Sequence, residues 1–150
     1  MNSIFYEDIE KNTVDNSAYR KVVYTGKMQF VYMSIEPLDD IHKEVHDSHD
    51  QFIRIEQGEG EAILNGNTYK LHDGIGLMIP AGVTHQIKNT SKERALKLYT
   101  IYSPPEHKPN TLQELNPDKM NEKTIYKHKY LKYKSKYLQL VKKIENNIVS

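Results

Sequence analysis

The stretch GIGLMIPAGVTHQIKN, residues 74–89, holds two runs of strand-forming residues on either side of a turn. The runs GLMI and VTHQIK are rich in aliphatic and β-branched residues, whereas Pro80 and Gly82 between them favour a turn. The same alternation of short apolar runs and turn residues continues in both directions along the chain. The pattern therefore predicts that this stretch is a pair of strands within a larger β-structure.

Short strands are predicted throughout the segment from Tyr19 to Tyr102, and no helical periodicity interrupts them. Beyond GLMI and VTHQIK, the predicted strands are YRKVVYT, QFVYMSI, FIRIE, EAILN, NTYKL and ALKLYTIY. Asn65 and Gly66 separate two of them, and both residues tolerate the positive φ angles of a tight hairpin turn. Many short strands at regular spacing favour an all-β sandwich or barrel.

The composition excludes several kinds of protein. The 150 residues suffice for one domain with a core and an appendage. No cysteine is present, so a metal ion would need His, Asp, Glu or amide ligands. No run approaches the roughly 18 apolar residues of a membrane span. The acidic start MNSIFYEDIE does not resemble a secretory signal, and we therefore expect a cytoplasmic location.

Charge divides the chain into two parts. Residues 118–150 hold nine lysines and three acids, a net charge of +6, whereas residues 1–117 hold 12 basic and 17 acidic residues, a net charge of −5. Together with the prolines that follow the last strand, this division predicts four segments. They are an N-terminal extension over 1–17, a β-domain over 18–110, a linker over 111–117 and a tail over 118–150.

The tail is predicted to be one basic amphipathic helix of about 25 residues. Its apolar stripe, spaced by three and four residues, consists of Tyr126, Tyr130, Tyr133, Tyr137, Leu140 and Ile144. The stripe suits a coiled coil or packing on the β-domain, and the lysines suit contact with nucleic acid or an anionic membrane surface. We favour association or packing over nucleic-acid binding, because runs of charge are usually solvated faces.

Strand parity directs four polar side chains inward. Side chains alternate between the faces of a strand, so Gln51 shares the face of two isoleucines, and His85 shares the face of a valine and an isoleucine. Glu44 and His46 share a face just before a predicted turn at residues 47–50. Each buried polar group needs a partner. Two imidazoles, a carboxylate and an amide oxygen together predict a site for a divalent metal ion.

Two motifs carry a resemblance to a known family. The stretch 74–89 matches the second motif of the cupins, G-x5-P-x-G-x2-H-x3-N, at Gly74, Pro80, Gly82, His85 and Asn89. The first motif, G-x5-H-x-H-x4-E-x6-G, matches at His46 and Gly58 but has Leu38, Glu44 and Gln51 in place of Gly, His and Glu. With YTGK, IRIEQGEGEAILNG and LKLYTIYSPPEH, the segment 18–110 resembles small single-domain, RmlC-like cupins that are often labelled mannose-6-phosphate-isomerase-like.

The resemblance implies an all-β fold, the jelly-roll double-stranded β-helix of the cupin barrel, here with an added C-terminal α-helix. It also implies a divalent metal ion (Zn, Fe, Mn or Ni) held by Glu44, His46, Gln51 and His85. Mannose-6-phosphate isomerases have the Glu and Gln ligands in swapped positions, and some uronate-processing cupins have Gln at the position of Gln51. The label therefore does not fix the reaction.

The function implied is Lewis-acid chemistry on a sugar, sugar phosphate or related carbonyl or hydroxy compound, as an isomerase or lyase. The alternative is a non-catalytic cupin that binds a small molecule and associates through its basic tail. In both cases we expect a small-molecule ligand and a homodimer. The tail resembles Lys/Tyr-rich terminal helices on proteins of giant DNA viruses, which implies a location in the host cytoplasm or the virion.

The sequence does not identify catalytic residues. Tyr32, Tyr99 and Tyr102 are candidates for a general acid or base, but each is also expected as a core or rim aromatic. His49 lies in the predicted turn. The remaining histidines are expected at the surface; they are His42, His72, His107 and His128.

Overall fold

A computed structural model describes residues 3–149 of the chain, without the side chain of Lys123. The first two positions of the predicted extension 1–17 and the last position of the predicted tail 118–150 lie outside the described residues. The helices are α1 (Ile9–Asp15) and α2 (Glu122–Val149), with a 3-10 turn at Pro117–Lys119. The strands are β1 (Arg20–Thr25), β2 (Gln29–Ile35), β3 (Asp40–Glu44), β4 (Asp50–Gln57), β5 (Glu59–Leu64), β6 (Asn67–His72), β7 (Gly76–Ile79), β8 (His85–Asn89), β9 (Leu96–Ser103) and β10 (Leu112–Gln113).

The strands form two antiparallel sheets of a jelly roll. The larger sheet has the order β10-β1-β2-β9-β4-β7, and the smaller has the order β3-β8-β5-β6. The inward side chains of both sheets form one buried core, which contains Val31, Met33, Ile35, Ile53, Ile55, Ile87, Leu96 and Leu98. Burying each such side chain stabilises the fold by roughly 1.5–3 kcal/mol. The prediction of an all-β double-stranded β-helix with an added C-terminal helix is confirmed.

Three elements were not predicted from the sequence. Strand β3 lies at the edge of the smaller sheet and pairs only with β8. Its one buried apolar residue is Ile41, so it shows no alternating apolar pattern in the sequence. Strand β10 lies inside the predicted linker 111–117 and pairs with the edge strand β1. Helix α1 lies in the predicted N-terminal extension, and the carboxylate of Asp8 caps it by accepting a hydrogen bond from the Lys11 amide at 3.0 Å.

Positive φ angles are informative in the turn between β5 and β6 and at Leu38. Asn65 and Gly66 have φ values of 47° and 83° and connect β5 to β6 as a two-residue hairpin turn, as predicted. Leu38 has a φ of 62° at the position where the first cupin motif has glycine. The backbone at Leu38 therefore adopts the left-handed conformation that glycine adopts freely. In leucine this conformation is disfavoured by contacts of the β-carbon.

The chain divides into two compact units, with the boundary between Asn116 and Pro117. In the second unit, α2 begins after Asn121, whose side-chain oxygen accepts a hydrogen bond from the Thr124 amide at 2.8 Å. The predicted stripe of tyrosine, leucine and isoleucine side chains on α2 is exposed. No helix among the described residues is long and apolar enough to cross a membrane.

Candidate metal centre

Strand parity placed two of the four predicted ligands correctly in the interior. Gln51 on β4 is 2% exposed and lies on the same face as the fully buried Ile53 and Ile55. His85 on β8 is 1% exposed and lies on the same face as Ile87. The tight packing of these aliphatic neighbours fixes the direction of both polar side chains.

The side chains of Glu44, His46 and His85 meet where β3 ends and β8 begins. We call this end of the barrel the barrel mouth. Glu44 ends β3 and is the direct register partner of His85 at the start of β8. The Oε1 atom of Glu44 lies 3.2 Å from Nε2 of His46 and 3.4 Å from Nε2 of His85. One ligand atom from each of the three residues lies within 4.8 Å of the other two, a spacing that could hold a metal ion. His46 follows β3, and its carbonyl accepts a hydrogen bond from the Gly82 amide at 2.8 Å.

The imidazole of His85 is oriented by its own backbone neighbourhood. Its Nδ1 lies 3.0 Å from the carbonyl oxygen of Val83. Nδ1 therefore carries the proton and donates a hydrogen bond to that oxygen. The buried Nε2 makes no hydrogen bond, although a carboxylate oxygen of Glu44 lies opposite. In the neutral imidazole, a lone pair on Nε2 would face that oxygen. A proton or a metal ion between them removes this repulsion.

The pKa values of Glu44 and His85 are shifted by the contact between them. Burial alone would raise the pKa of the Glu44 carboxyl, but the contact with His85 and the charges of His46 and His85 bring that pKa below its ordinary value. Burial would lower the pKa of His85, but Glu44 and the Val83 carbonyl raise it above its ordinary value. Without a metal ion, the site therefore favours a carboxylate facing an imidazolium.

Gln51 contributes an amide oxygen without a hydrogen-bond donor. Its Nε2 donates to Thr100 Oγ1 at 3.0 Å and to Tyr102 Oη at 3.2 Å, which fixes the rotation of the amide. Its Oε1 is buried and makes no hydrogen bond. A buried polar atom without a partner is costly. A cation would satisfy this oxygen, so the donor set fits a metal ion.

A second acid–imidazole group shares His46. Glu106 lies 3.2 Å from Nε2 of His49 through Oε2 and 3.7 Å from Nδ1 of His46 through Oε1. The His46 and His49 rings lie 4.4 Å apart, and the ligand atoms of His46, His49 and Glu106 again lie within 4.8 Å of one another. Burial, and then the charge of His46, lower the pKa of His49. His49 and Glu106 lie in loops, where strand parity gives no signal.

The structure identifies the inward tyrosine. Tyr102 belongs to the core and contacts the His46 and His49 rings edge-on at 5.9 and 5.6 Å. Tyr32 instead donates a hydrogen bond to Glu7 at 2.8 Å, and Tyr99 stacks on Phe30, so both lie on the opposite face of their sheet. A sequence signal for this existed. In LKLYTIYS, Tyr102 has the parity of the two leucines.

His107 was expected at the surface, and that prediction is wrong. Its ring is half-buried 5.3 Å from the Tyr102 ring, because the loop after β9 folds back over the barrel mouth. The buried amide of Gln29 holds this loop. It donates to the His107 carbonyl at 2.7 Å and accepts from the Glu106 and His107 amides at 3.3 and 2.9 Å.

Asn89, the last residue of the second motif, is structural. Its buried Nδ2 donates to the carbonyls of Ile35, Glu36 and Arg94, and its Oδ1 accepts from the Ser91 amide at 2.9 Å. These bonds join the end of β8 to the backbone at the end of β2 and to the loop before β9. Asn89 therefore fixes the strand that carries His85, without touching the site.

Comparisons with known proteins agree with the geometry. A family model described as the cupin domain matches residues 31–102. The uncharacterized protein L612 of Acanthamoeba polyphaga mimivirus is 40% identical over 146 residues, covering 93% of this chain and 91% of that protein. The uncharacterized protein YrkC of Bacillus subtilis is 36% identical over 121 residues, and the match covers 76% of this chain and 64% of YrkC.

The solved structures include a similar chain. The crystal structure of BH2720 from Bacillus halodurans has a TM-score of 0.73 and 37% identity, and the match covers 75% of this chain and 89% of that chain. The match to the mimivirus protein leaves out only 7% of this chain, so it extends into the tail.

Proposed function

Because the chain belongs to the cupin family, we propose that it is a metal-binding cupin that acts on a sugar, a sugar phosphate or a related carbonyl or hydroxy compound. The proposed ligands are Glu44, His46, Gln51 and His85, and the ion is one of Zn, Fe, Mn or Ni. The proposed reaction is of the isomerase or lyase type. We also propose that the protein acts as a homodimer.

The observation that carries this proposal is the pair of buried polar atoms on the predicted ligands that have no hydrogen bond. Gln51 Oε1 and His85 Nε2 are buried without hydrogen bonds, and both belong to residues fixed by strands. Glu44 Oε1 lies within 3.4 Å of both His46 Nε2 and His85 Nε2. A proton on His85 would pair its Nε2 with Glu44, but Gln51 Oε1 has no donor among the described residues, and a metal ion would satisfy both atoms.

A bound ion would supply Lewis-acid polarisation of a substrate oxygen. The chain's own residues supply positioning and proton transfer beside it. Burial raises the pKa of Tyr102, so its hydroxyl keeps its proton and acts as a donor rather than as a base. Glu106 is the more accessible group and lies against both His46 and His49, which suits it to exchange protons with a ligand at the barrel mouth.

A non-catalytic cupin is the second candidate. The observation in its favour is the exposed apolar stripe on α2, which suits association rather than chemistry. In that function the barrel binds a small molecule, and the basic tail joins copies of the chain or a partner.

Elemental analysis of the purified protein tests the metal site. We expect close to one equivalent of a transition metal in the wild-type protein and a large loss in His46→Ala and His85→Ala. His72→Ala, which alters an exposed histidine on β6, is the matched control. Equal and negligible metal in the wild-type protein and both site variants would rule out the proposed site.

Turnover separates the two candidate functions. Metal-replete protein is incubated with sugar phosphates and uronates, and both product formation and ligand-induced thermal shifts are measured. Thermal shifts without product favour the binding protein, whereas product that disappears in His85→Ala supports the enzyme. Removing residues 118–150 should leave the metal content intact, since none of the proposed ligands lies in the tail.

A further inference from the structure

Arg20 brings a positive charge to the inner face of the larger sheet. On β1 it has the parity of Val22, whose side chain is part of the core, whereas Lys21 between them is exposed. The Nη1 of Arg20 donates to the neutral amide oxygen of Gln113, and its Nε is buried without a hydrogen bond. The guanidinium also lies over the Tyr19 ring at 5.2 Å, so its buried Nε is the donor that an acceptor on a ligand would satisfy.

His107 offers a second nitrogen near that charge. Its Nε2 is buried and makes no hydrogen bond. Burial, and then the nearby charge of Arg20, lower the pKa of His107 to about 4, so the imidazole is neutral at neutral pH. A neutral imidazole with its proton on Nε2 is a hydrogen-bond donor.

Tyr102 offers a third donor between these residues and the candidate metal centre. Its ring contacts His107 at 5.3 Å on one side and His46 at 5.9 Å on the other. Its hydroxyl accepts a hydrogen bond from Gln51 and is hydrogen-bonded to Thr100, and its O–H group would donate to a ligand in place of Thr100.

We propose that Arg20, His107 and the Tyr102 hydroxyl form an oxyanion-binding subsite beside the candidate metal centre, for a carboxylate or phosphate group of the small-molecule ligand. The inference rests on the proposed function, because the subsite would hold one end of the ligand that the metal binds. With a divalent ion bound, the charges of the ion and Arg20 exceed those of the Glu44 and Glu106 carboxylates by one. These charges therefore favour an anion over a neutral sugar.

Three probes that share one sugar ring test the subsite: glucose, glucuronate and glucose 6-phosphate. Affinity is measured by calorimetry on manganese-loaded, full-length protein, and the metal content of each sample is determined. The wild-type protein should bind at least one anionic probe more tightly than glucose. Arg20→Gln should weaken that binding about tenfold or more, the effect of losing a charge-assisted hydrogen bond, without changing the metal content.

The control is Lys21→Gln, which removes the same charge from the exposed face and should leave the affinity unchanged. Arg20→Lys should retain part of the preference for the anion. If Arg20→Gln does not fold, His107→Gln carries the test, with an expected severalfold loss.

Stronger binding of glucuronate would assign a carboxylate to the subsite, and stronger binding of glucose 6-phosphate would assign a phosphate. Unchanged affinity in the folded variant, or no preference of the wild-type protein for either anion, would overturn the subsite. Loss of metal from the wild-type protein would instead count against the proposed function.

Discussion

Two acid–imidazole clusters share His46, and they differ in what holds them. The strand cluster consists of Glu44, His46 and His85, and two of its members are register partners on β3 and β8. The loop cluster consists of His46, His49 and Glu106, and its other members lie between β3 and β4 and after β9. The first is fixed by a hydrogen-bonded ladder, whereas the second depends on how two loops lie over the barrel mouth.

The difference assigns each cluster a different chemical use. A metal ion needs ligand atoms held at fixed separations, and strands hold them more accurately than loops. The side chains of Glu44 and His85 in the strand cluster are 19% and 1% exposed, whereas Glu106 in the loop cluster is 33% exposed. The strand cluster therefore suits a bound ion, and the loop cluster suits contact with ligand and solvent.

Replacing one acid in each cluster by glutamine should give the largest difference in metal affinity. Glu44→Gln removes a proposed ligand and should lower the metal affinity by more than about a hundredfold, whereas Glu106→Gln alters a residue behind His46 and should lower it about tenfold. Competition with a chelating dye measures both affinities. Equal losses would mean that the loop cluster binds the metal as directly as the strand cluster.

Replacing Gln51 by glutamate should make the stability of the fold depend on bound metal. In Gln51→Glu, a buried carboxylate without a cation should destabilise the metal-free protein by about 2–4 kcal/mol, and metal should restore the loss. Urea unfolding with and without manganese measures this. Gln57→Glu, at the far end of β4, is the control. A stability of Gln51→Glu that does not respond to metal would exclude Gln51 as a ligand.

Releasing the loop should affect the loop cluster alone. Gln29→Ala removes the amide that binds the Glu106 and His107 backbone, and should cost about 1–3 kcal/mol because those groups lose their partners. Thr25→Val, which removes one weaker contact of the same amide, should cost less. The metal content should stay unchanged in both. Loss of metal in Gln29→Ala would show that the strand cluster also depends on the loop.

The last expected effect is a change in acid sensitivity. Burial and Arg20 lower the pKa of His107 from 6.5 to about 4. Below pH 6.5 the unfolded chain takes up a proton at His107 before the folded protein does, so stability falls as the pH drops toward 4. His107→Gln should therefore lose less stability between pH 7 and about 4.5 than the wild-type protein.

Urea unfolding of EDTA-treated protein at the two pH values checks this expectation. His72→Gln, at an exposed site, should behave as the wild-type protein. An unchanged pH dependence in His107→Gln would show that His107 is not held neutral by the fold.

Much of the barrel and half of the proposed ligand set followed from alternation along strands. Gln51 and His85 lie between aliphatic residues of the same parity, and burying those residues carries the polar side chains inward with them. Glu44 and His46 were predicted as a pair on one face, and both lie at the barrel mouth. Whether the four bind metal remains a prediction.

The loops could not be predicted in this way. His49 and His107 have no strand neighbours to set their direction, and His107 was therefore expected at the surface. The short strands β3 and β10 were missed for a related reason. They lie at sheet edges, bury few apolar side chains and so leave little pattern in the sequence.

Local alternation and motifs are enough to predict the family, the all-β fold, the basic helical tail and the inward direction of strand residues. That His49, Glu106 and His107 border the site follows only from how the chain packs in three dimensions. Gln29 and His107 are 78 residues apart, and the hydrogen bond between them depends on chain packing that local periodicity does not encode.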